Sequence, residues 1–142
     1  MHMSPIKNAL LATALMSACA LAHAGVVVVV SAKSDVGALT QAQVSQIFLA
    51  KSLALPGGGT AVPIDQDEGS AVRNAFYRQV TGKDAAQMKA YWSQLMFTGK
   101  AQKPKKVAGD DAVKKAVAAT PGAIGYIDAA AVDASVKVVL KP

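Results

Sequence analysis

The spacing of apolar residues along the chain distinguishes five strand-like segments from four helical ones. Val26 to Val30 is an unbroken β-branched run, which is typical of a strand buried on both faces of a sheet covered by helices. The other predicted strands are residues 61–65, 105–108, 123–127 and 136–140. The predicted helices begin at Thr40, Ser70, Asp84 and at Asp110 or Asp111.

Start signals and apolar stripes support these helices. Thr40 with Gln43, and Asp84 with Gln87, have the spacing of capping boxes. The second helix, over 70–80, repeats apolar residues at i, i+4 and i+8. The stripe predicted to bury the third helix in the core is Met88, Tyr91, Trp92, Leu95 and Met96. The fourth helix carries Val113, Ala116 and Val117.

The order of the elements predicts an α/β fold. Strands and helices alternate as β-α-β-α-α-β-α-β-β, with a short helical turn over 128–132 before the last strand. Such alternation is typical of right-handed crossovers in a mainly parallel sheet. We therefore expect a three-layer single domain, with about five strands and with helices on both faces.

Residues 1–24 are expected to be a cleaved signal peptide rather than part of this domain. Lys7 precedes the apolar run 9–22, which is short for a membrane span, and Ala22-His23-Ala24 has the small-x-small cleavage pattern. The predicted domain is thus residues 25–142, exported to the periplasm. A retained anchor helix is one alternative. The other is a lipoprotein anchored at Cys19, although Met16 is a poor first residue for a lipobox.

Removal of this segment would restrict the available chemistry. The single cysteine, Cys19, and both histidines, His2 and His23, lie within it. The remaining chain therefore lacks the groups for Cys/His zinc sites, cysteine nucleophiles and Ser-His-Asp triads. We predict that the protein is not an enzyme and that it uses no metal or cofactor.

The charge of the predicted domain favours anionic ligands. Without Lys7, 14 Lys and Arg residues stand against nine Asp and Glu residues, a net charge of +5. This surplus suits an anionic ligand or surface, although a merely soluble basic surface explains it as well. Nucleic acid is not expected, because aromatic residues are few and not interleaved with basic ones.

The turn between the second strand and the second helix is the strongest candidate site. In an open parallel sheet, ligands bind where strands lead into helix starts, whose N–H groups lack acceptors. The predicted oxyanion-binding residues are Gly69, Ser70, Ala71 and Arg73. The alternative is that Ser70 only caps the helix and that Arg73 is a solvated surface residue.

Other motifs are weaker. Asp65, Asp67 and Glu68 resemble part of a calcium loop, but the alternating ligands and the distal glutamate are missing. The basic loop Lys100–Lys106 is expected to be a solvated face or to steer anions. No Gly-Lys-Ser/Thr follows the glycine run 57–59, which is therefore interpreted as a hairpin-like connection and not as a phosphate loop.

Several segments in the same order resemble the phosphate-binding solute receptors of ABC transporters, in the type II periplasmic binding protein superfamily. They are Gln46-Ile47-Phe48-Leu49-Ala50-Lys51, Gly59-Thr60-Ala61-Val62-Pro63-Ile64, Gly69-Ser70-Ala71-Val72-Arg73-Asn74-Ala75-Phe76 and Pro121-Gly122-Ala123-Ile124-Gly125-Tyr126, with Trp92 in the helix between the last two. The resemblance implies one lobe of such a receptor and phosphate or another small oxyanion as ligand.

The resemblance also implies an altered ligand site. The family has Arg, Gly and Thr where this chain has Gln66, Ala71 and Val72, whereas Ser70 and Arg73 are retained. We therefore expect an exported, phosphate-binding-protein-like domain with a degenerate site, which works with a membrane permease in ABC transport. The alternative is a ligand-free periplasmic interaction module that docks an envelope protein or dimerises.

Overall fold

The computed structural model describes residues 25–99 and 101–142, so the predicted signal peptide, its alternative anchor at Cys19, and Lys100 lie outside the described residues. The strands are β1 (Val26–Ser31), β2 (Val62–Gln66), β3 (Lys105–Val107), β4 (Ala123–Asp128) and β5 (Val136–Leu140). The helices are α1 (Gln41–Phe48), α2 (Ala71–Thr81), α3 (Ala85–Phe97) and α4 (Gly109–Ala119), and a 3₁₀ turn spans Ala129–Ala131. The predicted order of elements is confirmed.

The five strands form one mixed sheet in the order β3-β2-β4-β1-β5. β2 is parallel to both β3 and β4, whereas β1 is antiparallel to both β4 and β5. Four strands therefore run in one direction, as a mainly parallel sheet requires, and β1 alone opposes them. The β-branched run indicated burial on both faces but not this direction, because a buried strand presents the same apolar pattern in either orientation.

β1 separates two apolar clusters because its side chains alternate between the faces of the sheet. Val26, Val28 and Val30 join the cluster that contains buried residues of α1, α2 and α3. Val27 and Val29 join the cluster that contains the buried residues of α4. The structure therefore has the three layers that the sequence predicts, with helices on both faces.

A stack of aromatic rings ties α1 and α2 to the centre of the sheet. The rings of Phe76 and Tyr126 are stacked nearly parallel, with an interplanar angle of 6° and centroids 4.0 Å apart. Phe48 packs edge-on against Phe76 at 4.8 Å. Each such pair is worth about 0.5–1.5 kcal/mol beyond its buried area. α2 is thus held firmly beside β4, and the site described below lies at its start.

The segment Pro-Gly-Ala-Ile-Gly-Tyr, which leads into β4, contains two glycines at positions where neighbouring atoms leave no room for a side chain. Gly122 has φ +78° and lies against the carbonyl oxygen of Thr60, which leaves no room for a side chain. At Gly125 a Cβ atom would lie 2.5 Å from Cγ1 of Val113. Gly122 therefore lets the segment before β2 approach β4, and Gly125 lets α4 pack close to the sheet.

Helix starts largely follow the predicted signals. Thr40 with Gln43 and Asp84 with Gln87 form complete capping boxes. α4 departs from the prediction, since it begins at Gly109 after Ala108 and has no side-chain cap. Asp110 instead accepts hydrogen bonds from Gln66 and from the backbone N–H of Asp128.

The predicted stripe of α3 is only partly correct. Met88 and Trp92 are buried, and Tyr91 and Leu95 are half-buried against the core. Met96, however, is 52% exposed, and its neighbour Phe97 is 94% exposed. The last turn of α3 extends beyond α2 and the sheet, so helical periodicity alone overestimates how much of this helix is covered.

The glycine run forms the hairpin-like connection expected from the sequence. Ala54 and Thr60 form an antiparallel bridge, and Leu55 N–H donates to the carbonyl of Gly59. Within residues 25–99 and 101–142, no helix is long and apolar enough to cross a bilayer.

Candidate functional site

The site is built where β2 ends and α2 begins. Asp65 and Gln66 are the last residues of β2, and both are buried. Gly69 has φ +86°, which lets the chain turn sharply into the helix. Ser70 is the N-cap of α2, and its hydroxyl oxygen accepts a hydrogen bond from Arg73 N–H. This local sequence therefore places a buried acid and a basic helix residue on either side of one tight turn.

The carboxylate of Asp65 is surrounded by donors. Tyr77 donates its hydroxyl proton to Oδ2 over 2.8 Å, and the hydroxyl of Tyr126 donates to Oδ1. Gln66 N–H donates to Oδ1 over 2.9 Å. Nε of Arg73 lies 3.4 Å from the same oxygen. A buried carboxylate is tolerated only with such compensation, so Asp65 serves the internal network rather than a ligand.

Burial and this carboxylate raise the pKa of both tyrosines. The pKa of Tyr77 is well above its ordinary value because desolvation disfavours the phenolate and because Asp65 repels it. The pKa of Tyr126 is raised for the same two reasons, with a further contribution from Tyr77. Both hydroxyls therefore remain protonated and keep donating to Asp65 throughout the physiological range.

Gln66 connects four elements through its side chain. Its Oε1 accepts from Ser70 Oγ over 3.0 Å, and its Nε2 donates to Asp110 Oδ1 over 2.9 Å and to the carbonyl of Tyr126 over 3.0 Å. Both amide protons and the carbonyl oxygen are thus used inside the protein. Gln66 therefore connects β2, β4, α2 and α4 by hydrogen bonds, and none of its side-chain donors is free to bind a ligand.

Arg73 is the one basic side chain that the fold buries here, with only 4% of its surface exposed. Its Cζ lies 5.0 Å from the ring centroid of Tyr77, in a cation–π contact. Its Nε makes no hydrogen bond, and no described residue accepts one from its two Nη groups. The interpretation of Arg73 as a solvated surface residue is therefore wrong.

A pocket of about 270 Å³ opens beside Arg73, between the start of α2, the start of α3 and the loop before β3. Its lining residues are Asp65, Glu68, Gly69, Arg73, Ala85, Ala86, Lys89, Trp92, Lys103, Pro104 and Lys106. We call it the Arg73 pocket. Four cationic and two anionic side chains line it, so its surplus of charge is positive.

The cations of the Arg73 pocket differ in their pairing. Lys106 Nζ lies 3.1 Å from Glu68 Oε1, and this hydrogen bond holds the pKa of Glu68 below its ordinary value. Across residues 25–99 and 101–142, neither Lys89 nor Lys103 forms an ion pair. Lys89 and Lys103 therefore retain the capacity to attract an anion, whereas Arg73 already lies beside the Asp65 carboxylate and has only its Nη groups available.

The four predicted oxyanion-binding residues do not all face one space. Gly69 and Arg73 line the Arg73 pocket. Ser70 does not line it, and its hydroxyl proton is donated to Gln66. Ala71, the first residue of α2, is exposed, and its N–H has no acceptor within the helix.

Sequence reasoning did not include Lys89 and Trp92 in the site. A signal for them exists, because Ala85, Lys89 and Trp92 follow at i, i+4 and i+7 and so share one face of α3. The same basic loop that was singled out as an anion-steering candidate supplies Lys103 and Lys106.

The partial calcium motif is separated by the fold. Asp65 points into the protein, whereas Asp67 and Glu68 are exposed. The part of the chain that the structure describes contains no group of three or more residues arranged to hold a metal ion.

A family model described as "PBP superfamily domain" matches residues 10–139. The chain belongs to this family. Its fold is that of one lobe of a periplasmic binding protein, and the family is one of solute-binding-like domains. A comparison with curated proteins gives no match.

Solved structures of phosphate-transport proteins share this fold. One is a putative phosphate ABC transporter substrate-binding protein from Clostridium perfringens, solved with bound phosphate. It is 26% identical in sequence and has a TM-score of 0.65, and the match covers 81% of this chain and 44% of the Clostridium protein. An ABC-type phosphate transport receptor from Vibrio cholerae is 18% identical with a TM-score of 0.64 over 81% and 45%. This chain thus spans less than half the length of either protein.

Proposed function

We propose that this protein is an exported solute-binding domain that binds a small oxyanion in the Arg73 pocket. Arg73 is the observation that carries the proposal, because a nearly buried guanidinium lines a positively charged pocket while its Nη groups find no acceptor among the described residues. Only Nε of this side chain is fully buried without a hydrogen bond, so the Nη groups remain accessible, and an oxyanion in the pocket would accept hydrogen bonds from them.

The expected affinity is low. A charge-assisted hydrogen bond contributes about 1.5–3 kcal/mol, and the start of a helix adds about 0.3–1 kcal/mol. The sum is about 2–4 kcal/mol, and its upper limit corresponds to a dissociation constant of about 1 mM. Gly69 and the free N–H of Ala71 are proposed to contribute through the backbone, and Ser70 is proposed to act by fixing the helix start.

The remaining parts of the proposal follow from the family. The Clostridium perfringens protein carries phosphate, which favours phosphate as the first oxyanion to test. We propose a periplasmic protein, released by cleavage after Ala24, that serves a membrane permease in ABC transport and performs no catalysis. Its site is degenerate relative to phosphate receptors, since Gln66 is fully engaged in the internal network.

Calorimetric titration of the purified protein with phosphate and sulfate tests this function. We expect saturable heat at millimolar anion, and a loss of at least about fivefold in affinity in Arg73→Lys, which keeps a charge but removes the guanidinium fork. Arg78→Lys is the matched control, because Arg78 is exposed on the same helix and does not line the pocket. No heat at millimolar anion would overturn the proposal.

A second candidate function, the docking of an envelope protein or of another copy of the chain, is favoured by one observation. Phe97 is 94% exposed next to the half-exposed Met96, and Leu53 is also exposed. Contiguous exposed apolar side chains, such as the neighbours Met96 and Phe97, are the kind of surface that interaction sites use. Sedimentation velocity of the wild type and of Phe97→Ser tests self-association, and a monomer at all concentrations in both would argue against the dimer.

A further inference from the structure

The Arg73 pocket is larger than a bare oxyanion requires. At roughly 30 Å³ per water molecule, its 270 Å³ correspond to about nine waters. A tetrahedral oxyanion held by Arg73 fills only part of this volume. The space that remains is bordered by the other lining residues, and their composition decides what else the pocket can accept.

Part of the lining is apolar. Ala85 and Ala86 from the first turn of α3, Trp92 from its third turn and Pro104 from the loop before β3 line the pocket beside Lys89 and Lys103. Trp92 and Pro104 are buried, so they form a fixed base, whereas Ala85 and Ala86 are exposed. Bare phosphate or sulfate would leave the two alanines in contact with water, whereas an apolar substituent would cover them.

The charge of the pocket selects among organic anions. Its four cationic and two anionic side chains leave a surplus of two positive charges. A phosphate monoester carries about −1.5 to −2 charges at pH 7, whereas a carboxylate carries one. A monoester therefore matches both the surplus charge and the planar donor fork of Arg73.

Building on the proposed function, we propose that the ligand of the Arg73 pocket is an organic phosphate monoester. Its phosphate group binds Arg73, with Lys89 and Lys103 as the further cations. Its substituent packs against Ala86, Trp92 and Pro104. The pocket thus discriminates by the substituent, and inorganic phosphate is its weaker ligand.

Titration calorimetry with inorganic phosphate, methyl phosphate and propyl phosphate tests this proposal. Each methylene that becomes buried should tighten binding by up to about fourfold, so propyl phosphate should bind at least about fivefold more tightly than inorganic phosphate. Ala86→Leu fills this apolar part of the pocket and should reduce this ratio. Ala90→Leu is the matched control, because Ala90 is exposed on the same helix outside the pocket, and it should leave the ratio unchanged.

The outcomes separate this inference from the proposed function. Equal affinity for all three ligands, or a preference for inorganic phosphate, would overturn the monoester assignment and leave oxyanion binding intact. Butyrate binding as tightly as propyl phosphate would overturn the choice of phosphate over carboxylate. Absence of binding by every ligand would overturn both the inference and the function on which it rests.

Discussion

Ser70 Oγ donates a hydrogen bond to Gln66 Oε1 over 3.0 Å, and Ser70 Oγ also accepts a hydrogen bond from Arg73 N–H over 3.2 Å. One hydroxyl group therefore caps α2 and also satisfies the side chain at the end of β2. Ser70, which the sequence predicts as an oxyanion-binding residue, is thus a connector between a strand and a helix in the fold.

Replacement of Ser70 by alanine should lower the free energy of unfolding by about 1–3 kcal/mol. The lost cap accounts for about 1 kcal/mol, and the unpaired Gln66 carbonyl accounts for the rest. Urea denaturation measures the change. Ser93→Ala, at an exposed position inside α3, is the control and should change stability by less than about 0.5 kcal/mol. A Ser70 variant as stable as this control would contradict the connector role.

Alkaline pH should unfold the protein as its tyrosines ionise. The pKa values of Tyr77 and Tyr126 are raised by burial and by Asp65, and burial also raises that of Tyr91. Because the folded pKa values exceed those of the unfolded chain, the stabilisation is complete below pH 10 and is lost as the pH rises above it.

Spectrophotometric titration and circular dichroism, recorded on the same samples, check this prediction. The phenolate absorbance of the buried tyrosines should appear together with the loss of helix signal, because ionisation requires unfolding. Phenolate formation by all three tyrosines in a chain that keeps its full helix signal would show that Tyr77 and Tyr126 are not buried as described.

Acid should weaken the contact between α4 and the turn before β5. Hydrogen bonds from Ser135 and Lys114 lower the pKa of Asp133 from 3.8 to about 2. A depressed folded pKa means that the stabilisation is present above pH 3.8 and is lost as the pH falls towards 2. Asp133→Asn should be less stable than the wild type above pH 4, and the difference should shrink as the pH falls and vanish below pH 2.

Thermal unfolding at several pH values measures this convergence. Asp35→Asn is the control, because Asp35 forms none of the ion pairs found among the described residues. If the melting temperatures of the wild type and of Asp133→Asn differ by the same amount from pH 2 to pH 6, the ionisation of Asp133 does not contribute to stability.

Replacement of Gly125 by alanine, which adds one methyl group, should lower the free energy of unfolding. The Cβ atom would lie 2.5 Å from Val113 Cγ1 and 3.3 Å from Val117 Cγ2, so α4 would have to move away from the sheet. Overpacking of this kind costs about 1–3 kcal/mol. Gly125→Ala should show this loss in urea denaturation, and combination with Val113→Ala should recover part of it. A larger loss in the double variant than in Gly125→Ala would contradict the steric explanation.

The order of the elements was predictable because each carries its own local signal. The capping boxes at Thr40 and Asp84 and the β-branched run of β1 depend only on neighbouring residues. The antiparallel direction of β1 was not predictable, because pairing with β4 and β5 depends on residues about a hundred positions away. The exposure of Met96 was missed for the same reason, since it depends on where the rest of the fold ends.

The candidate site was predicted in position but not in composition. The turn at Gly69 and the presence of Arg73 follow from sequence pattern and resemblance. The pairing of Arg73 with Asp65 does not, because it requires that β2 and α2 turn the two side chains toward each other. Gln66 was expected only as a residue standing where relatives have arginine, whereas its three side-chain hydrogen bonds join four elements.

The position of β1 also constrains how the chain reaches its fold. β1 lies between β4 and β5, so the first strand of the domain finds both of its neighbours only among residues 123–140. Pairing over such a separation in sequence is slow, because the intervening loop must close first. The valine-rich strand therefore has no neighbour in the sheet until nearly the whole domain has been synthesised.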